Sequence, residues 1–374
     1  MLQQLPPTRP HLIILLILIL SYSLVLVHAD VPNIPNHSQS SSSSSSYRTN
    51  KSESTSSSSF IHQQSLDAFI REINQKAKTW VAGYNKKFGN GRSREEIVNL
   101  LLGWNRKSQP LLSKEPLNNR NHHDLELTLP KLSIHTPTRS NSMKISLPAN
   151  YSSVTNTLYS NCTQLHHIRD QGECGACWAF GVSEMVADRF CIASQTRVNV
   201  VLSPQFLLSC DEGDCYGGDI GNTLKYVQNY GIVTNHCIPF LAKIGSNLPC
   251  PNRCLDGSNY KLRYKVKNSQ QFDLTDIQGM QQSILQNGPI VAAFNVFEDF
   301  LHFKGGIYQY TTGGYVGGHV VKVVGWGESM HGIPYWIVAN SWSIDWGMNG
   351  YFWIIRGKNE CNFESYMWQT TPVL

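Results

Sequence analysis

No cysteine occurs before Cys162, although ten are spread from there to Cys361. The C-terminal part is therefore a cysteine-rich domain, and whatever precedes it folds without disulfides. Charge is also scarce. Asp, Glu, Lys and Arg make up 15% of the chain and the net charge is +5, too mild to point to nucleic acid. No apolar run is long enough for a membrane span. The longest, Leu12–Val27, includes Ser21 and Ser23 and falls short of the about 20 residues that a spanning helix takes. Arg9 ahead of this short stretch, and the small Ala29 behind it with Val27 two positions earlier, make residues 1–29 read as a secretory signal peptide. Export places the cysteines where disulfides persist. Hydrophobic residues, at 41%, suffice for part of the chain to bury a core.

Composition divides the chain at Leu147. Residues 1–146 carry 17 basic and 9 acidic side chains, and residues 147–374 carry 14 and 17. The two parts have opposite charge. Residues 30–59 are serine-rich, with unbroken runs at Ser40–Ser46 and Ser56–Ser59. Such a stretch cannot bury enough apolar surface to offset its ordering entropy and reads as a disordered linker. Asn36, Asn50, Asn150 and Asn161 fit the glycosylation acceptor pattern. From Phe60, Leu66, Phe69, Ile70, Ile73, Ala77, Trp80 and Val81 recur at helical spacing. Ser93 to Glu96, ahead of Ile97, Val98, Leu100 and Leu101, has the pattern of a capping box that opens a second helix. Two such helices bury little by themselves and need a larger partner. Pro110, Pro116, Pro130 and Pro137 punctuate an extended connector up to residue 146.

Beyond Leu147 the sequence turns globular. Ala176–Ile192 reads as a helix, and the β-branched and aromatic runs Pro289–Val296, His319–Val324, Tyr335–Ala339 and Tyr351–Ile355 read as strands. A helix-rich front and a strand-rich back predict an α+β domain of two subdomains.

The most informative stretch is Gln171-Gly172-Glu173-Cys174-Gly175-Ala176-Cys177-Trp178. Cys177 opens the predicted helix, and a helix N-terminus stabilises a thiolate. A thiolate nucleophile needs a base or ion-pair partner. Of His236, His302, His319 and His331, His319 stands out, at a strand start after Gly317 and Gly318. Asn340, further along the chain, can hold one imidazole nitrogen so that the other faces sulfur, and Trp342 can shield that bond. His302 reads as ordinary packing and His331 as solvated. Alone, Cys174-x-x-Cys177 fits a redox pair or half a zinc site equally well. The His–Asn pair, Gln171 and Trp178 argue against both.

With these residues the chain resembles the papain-like cysteine proteases, and among them cathepsin B. The resemblance extends through Asp188-Arg189-Phe190-Cys191, Cys215-Tyr216-Gly217-Gly218, Asn287-Gly288-Pro289, Gly325-Trp326-Gly327, Tyr335 to Trp342 and Cys361-Asn362-Phe363-Glu364-Ser365. Upstream it takes in Thr79-Trp80-Val81-Ala82-Gly83-Tyr84-Asn85. The separation of Cys177 from His319 suits the family's spacing. The resemblance implies a papain-like fold with a helical and a β-barrel-like subdomain. It implies a zymogen with an inhibitory propeptide at 60–146 and a cysteine endopeptidase domain at 147–374. The implied catalytic residues are Cys177, His319 and Asn340, with Gln171 at the oxyanion and Gly217, Gly218, Trp342 and Tyr366 against substrate. The implied disulfides are Cys162–Cys191, Cys174–Cys215, Cys210–Cys250 and Cys237–Cys254, with Cys177 and Cys361 unbridged. No metal or organic cofactor is implied. The expected partners are polypeptide substrates, the chain's own propeptide and cystatin-type inhibitors. The expected protein is a monomer of the lysosome, vacuole or extracellular space, with no nucleic-acid partner and no membrane attachment once the signal is removed. Related chains that have lost the nucleophile are non-catalytic matrix or adhesion proteins, and the presence of Cys177, His319, Asn340 and Gln171 speaks against that alternative.

Two departures from cathepsin B carry expectations of their own. That enzyme has an acidic residue two places after the Glu-Ser pair, and Tyr366 stands there in this chain. It also has a long occluding loop with paired histidines. Here only the short stretch Ile238–Pro249 separates Cys237 from Cys250, with Lys243 in it and no histidine pair. The lone His236 just before this segment reads as solvated.

Overall fold

The structure, a computed structural model, describes residues 53–88, 97 and 146–374. The signal, most of the serine-rich stretch, the Pro-punctuated connector and all of the second predicted helix except Ile97 lie outside the described residues. The first helix, α1 (Glu53–Lys76), begins inside the stretch read as linker. It also stops short of Trp80 and Val81. These continue the helical spacing in sequence, yet they form strand β1 (Trp80–Ala82) by antiparallel pairing with Phe303–Gly306. A distant strand edge offers this segment hydrogen bonds that outweigh local periodicity.

The rest follows in chain order: β2 (Tyr151–Ser152), α2 (Cys177–Ala193), α3 (Pro204–Cys210), α4 (Ile220–Tyr230), β3 (Val266–Gln271), α5 (Ile277–Asn287), β4 (Ile290–Phe297), β5 (Phe303–Tyr308), β6 (Tyr315–Glu328), β7 (Pro334–Ala339), β8 (Tyr351–Ile355) and β9 (Met367–Pro372). The strands line up as β1-β5-β8-β7-β6-β4-β9-β3, with β2 paired to β6. Pairing is antiparallel except between β5 and β8. The short helices begin at side-chain caps, where an oxygen accepts an otherwise orphaned N–H. Ser203 serves the Phe206 amide, Asp219 the Asn222 amide and Asp276 the Gly279 amide.

Central strands β4 and β6 are buried on both faces, so their residues divide between two cores. Ile290, Ala292, Phe294, Val321 and Val323 join an aromatic core with Phe300, Trp342, Trp346 and Phe352. Val291, Ala293 and Val320 face the helices and pack with Trp178, Phe180, Met185, Phe206 and Leu224. The N-terminal segment belongs to the first core, through Ile73, Trp80, Phe88 and Ile97. Four disulfides, Cys162–Cys191, Cys174–Cys215, Cys210–Cys250 and Cys237–Cys254, staple the helical part.

Candidate active site

Cys177 is the first residue of α2 and is buried. The residue at the cap position is Ala176, which has no side-chain acceptor. The helix N-terminus therefore keeps its partial positive charge and its N–H groups for an anion placed there. Cys174 is bridged to Cys215, which rules out a Cys174–Cys177 redox pair in this fold.

His319 lies near the start of β6, fully buried. Its Nε2 is 2.8 Å from Asn340 Oδ1. The carboxamide oxygen can only accept, so Nε2 carries the proton and Nδ1 is left as the basic nitrogen. Asn340 Oδ1 also takes the Ser341 amide at 2.8 Å, which fixes the carboxamide's orientation. Trp342 stacks on the imidazole with centroids 4.5 Å apart, shielding the His–Asn bond from solvent. Burial holds the His319 pKa down to about 3; the Asn340 bond opposes this shift and the Lys87 charge adds to it.

Gln171 is buried and doubly oriented. Its Oε1 accepts from Ser341 Oγ at 2.7 Å and its Nε2 donates to the Cys174 carbonyl at 2.9 Å. The carboxamide is thus held in one orientation, its NH₂ group toward the turn that leads into Cys177. The backbone repeats the tie, Gln171 N donating to Ser341 O at 3.0 Å. Gly218 has no room for a side chain, since a Cβ there would collide with the Trp178 indole. The Gly217–Gly218 backbone is thereby held beside the N-terminus of α2. Tyr366 is buried, and its hydroxyl donates to Asp219 Oδ2 at 2.6 Å. His302 is buried as expected of a packing residue, and His331 is exposed.

The N-terminal segment reaches this grouping. Asn85 Nδ2 donates to the carbonyls of Leu301 and Phe303 at 2.8 and 3.1 Å. Lys87 pairs with Asp170, next to Gln171. Phe88 packs edge-on against Trp342 with centroids 5.1 Å apart. Sequence reading missed the partners that orient the site, namely Ser341 for Gln171, Asp219 for Tyr366 and Asp170 for Lys87. Each pairing joins segments distant in sequence and leaves no periodic signal.

The α+β fold of two cores and this grouping are those of a cysteine-type peptidase. The model of the papain family cysteine proteases matches residues 153–371. The chain belongs to that family. It is 39% identical over 241 residues to cathepsin B-like cysteine proteinase 4 of Caenorhabditis elegans, covering 56% of this chain and 71% of the relative. To cathepsin B-like cysteine proteinase 6 of the same organism it is 33% identical over 337 residues, covering 80% and 81%. Among solved structures, procathepsin B S9 from Trypanosoma congolense superposes with a TM-score of 0.67 at 31% identity, over 82% of this chain and 97% of that one. This is a cathepsin B-like member with the architecture of a proenzyme.

Proposed function

We propose that the chain is the zymogen of a cysteine endopeptidase of the secretory pathway, working through Cys177, His319 and Asn340. The observation that carries this reading is the shielded 2.8 Å bond from His319 to Asn340, on a fold whose uncapped helix begins with Cys177. The Cys177 thiolate attacks the scissile carbonyl, forming a C–S bond. The developing oxyanion is held by the Cys177 backbone N–H and the Nε2 amide of Gln171. Protonated His319 passes its Nδ1 proton to the leaving amine as the C–N bond breaks. Water, deprotonated by His319, then cleaves the thioester and frees the new carboxylate. Asn340 keeps the imidazole facing sulfur throughout. Replacing Gln171 by alanine is expected to lower kcat by about 10²-fold, the usual effect of losing one oxyanion donor (~3 kcal/mol), with KM little changed.

In the uncleaved chain the N-terminal segment is the inhibitor, added as an edge strand and placing Phe88 on Trp342. The enzyme's own start lies near Leu147-Pro148-Ala149, where the Pro148 carbonyl accepts from Trp326 Nε1 at 3.0 Å. The short Cys237–Cys250 segment leaves the leaving-group side of the cleft open to a continuous polypeptide. The test is an internally quenched peptide with a free C-terminus, assayed beside its amidated twin. Similar rates and interior cleavage are expected. Stepwise release of C-terminal dipeptides, abolished by amidation, contradicts the endopeptidase reading.

Tyr366 walls the pocket for the residue two before the scissile bond. The one carboxylate at its hydroxyl, Asp219, already accepts from Tyr366 and from the Asn222 amide at 2.9 Å. A guanidinium entering there has to share that carboxylate with Tyr366 and Asn222, and desolvating it without a partner of its own is costly. The kcat/KM for a Phe-Arg substrate is therefore expected to exceed that for Arg-Arg by about tenfold or more, a difference of ~1.4 kcal/mol. Equal values contradict the assignment of Tyr366.

A further inference from the structure

Three charged side chains are buried where the nucleophile helix meets the central sheet. Lys322 of β6 is 1% exposed, and its Nζ lies 2.8 Å from Asp188 Oδ2 and 3.5 Å from Glu184 Oε2, both on α2. Asp188 is fully buried and Glu184 nearly so. A half-buried cation, Arg169, lies within electrostatic reach of Glu184. It also donates to the Leu202 carbonyl at 3.2 Å and to Asn235 Oδ1 at 2.8 Å.

This cluster is a poor device for stability. Taking ions from water is expensive, and an apolar replacement of similar volume is often as stable or more so. Here Glu184 Oε1 and Asp188 Oδ1 have no hydrogen-bond partner among the described residues, which adds to the cost. The best-attested use of such groups is to fix one register between packed elements.

The helical period shows which register is fixed. Cys177, Gly181, Glu184 and Asp188 follow one another at alternating four- and three-residue steps, so they share one face of α2. At Gly181 the helix lies so close to the sheet that a Cβ would come within 2.9 Å of Val320 and 3.0 Å of Val291. Val320 and Lys322 stand on the side of β6 that meets this face, just after His319. Arg169 stands just before Gln171, and its carbonyl accepts the Ser343 amide at 3.1 Å, beside Trp342. The cluster thus joins the helix that carries the nucleophile, the strand that carries the imidazole and the segment that carries the oxyanion donor.

We infer that Lys322 is a positioning residue for the thiolate–imidazole pair: clamped between Glu184 and Asp188, it sets the rotation of α2 against β6 and so aims Cys177 at His319. The inference rests on the peptidase reading, since it concerns how that pair is held. Rotating or sliding the helix by about 1 Å is enough to cost about 10²-fold in rate, because attack geometry is steep.

The test uses the acid-processed enzyme and three variants: Lys322→Met, Lys322→Arg, and the apolar triple Glu184→Met/Asp188→Leu/Lys322→Met. The triple variant removes all three charges, so it remains informative if Lys322→Met alone fails to fold. The readouts are Tm, kcat and KM on the quenched peptide, and the pH profile of Cys177 alkylation by iodoacetamide, which reports the thiolate–imidazolium pair. The triple variant is expected to keep or raise Tm, while kcat falls about ten- to a hundredfold with KM within about threefold, and its alkylation profile moves toward that of an ordinary thiol. Lys322→Arg is expected to restore kcat to within about threefold. A triple variant with the kcat and alkylation profile of the parent overturns the inference and leaves the clamp a structural detail. A parent enzyme that neither turns over peptide nor alkylates rapidly overturns the peptidase reading instead.

Discussion

Replacing Cys177 by serine is expected to lower peptide hydrolysis by at least about 10³-fold, the scale on which nucleophile losses are felt, while the protein folds and keeps its N-terminal segment docked. Serine differs by one atom at a fully buried position, so packing in the helical core is nearly unchanged. The chemistry is not. A cysteine at an uncapped helix N-terminus is ionised with little help, whereas a serine hydroxyl has a far higher pKa and needs a strong base. His319, its pKa lowered by burial in the docked chain, is a weak base for an alcohol. The check is turnover of the quenched peptide beside a thermal unfolding curve. Near-parental turnover by a folded Cys177→Ser protein would falsify the thiolate mechanism.

The second large effect is acid release of the N-terminal segment. Phe69 of α1 packs edge-on against His302 with ring centroids 5.9 Å apart, and the His302 carbonyl accepts the Gly83 amide at 2.8 Å. Burial lowers the His302 pKa from 6.5 to about 4. A histidine kept neutral in the docked state takes up a proton below pH 6.5 only when it is uncovered. Its contribution to docking is therefore complete above pH 6.5 and is lost as pH falls toward 4. The full shift corresponds to up to about 3 kcal/mol, or about 10²-fold in the docking equilibrium. The Lys87 charge of the docked segment also lowers the His319 pKa and so acts in the same direction. Lys87 and Lys86 of the segment pair with Asp170 and Asp345 of the domain, in line with the basic N-terminal part and the acidic domain. Cleavage near Leu147-Pro148-Ala149 should accelerate between pH 6.5 and 4. His302→Phe keeps an aromatic ring against Phe69 without the proton, and should move the midpoint of processing down by about one pH unit. N-terminal sequencing across a pH series measures both. Processing fastest at pH 8, or a His302→Phe midpoint unchanged, contradicts this account.

What could be read from the sequence followed the range of the interactions involved. Helix α2 emerges close to its observed bounds because few helix breakers interrupt it, and strands β4, β7 and β8 because each is a mostly apolar run next to Gly, Pro or Asn. Strand β6 is legible at its centre, but its ends at Tyr315 and Glu328 are set by pairing with β4 and β7. Helix α3 has seven residues, too few for a periodic signal, whereas α4 buries Ile220, Thr223, Leu224 and Val227 and α5 buries Met280, Gln281 and Ile284 at helical spacing, a signal that the sequence reading missed. Trp80 and Val81 keep the period of α1 yet become a strand because β5 has an edge to fill. Cys177, His319, Asn340 and Gln171 are legible because the chemistry needs these residue types beside glycines and a tryptophan. Lys322 is not, since a lysine within a β-branched run gives no sign that two carboxylates from a helix far back in the chain will surround it.

The central claim is that Cys177 is an activated nucleophile kept covered by the chain's own N-terminal segment. Labelling with an epoxide active-site thiol probe, followed by peptide mapping, tests it most directly. The acid-processed enzyme should take up one equivalent per chain, all of it on Cys177, and the uncleaved chain at pH 7 far less. Cys361, the other unbridged thiol, has its pKa pushed well above the usual range by burial beside Glu360 and should stay unlabelled. A folded, processed protein that takes up no label, or takes it up on Cys361 instead, contradicts the account.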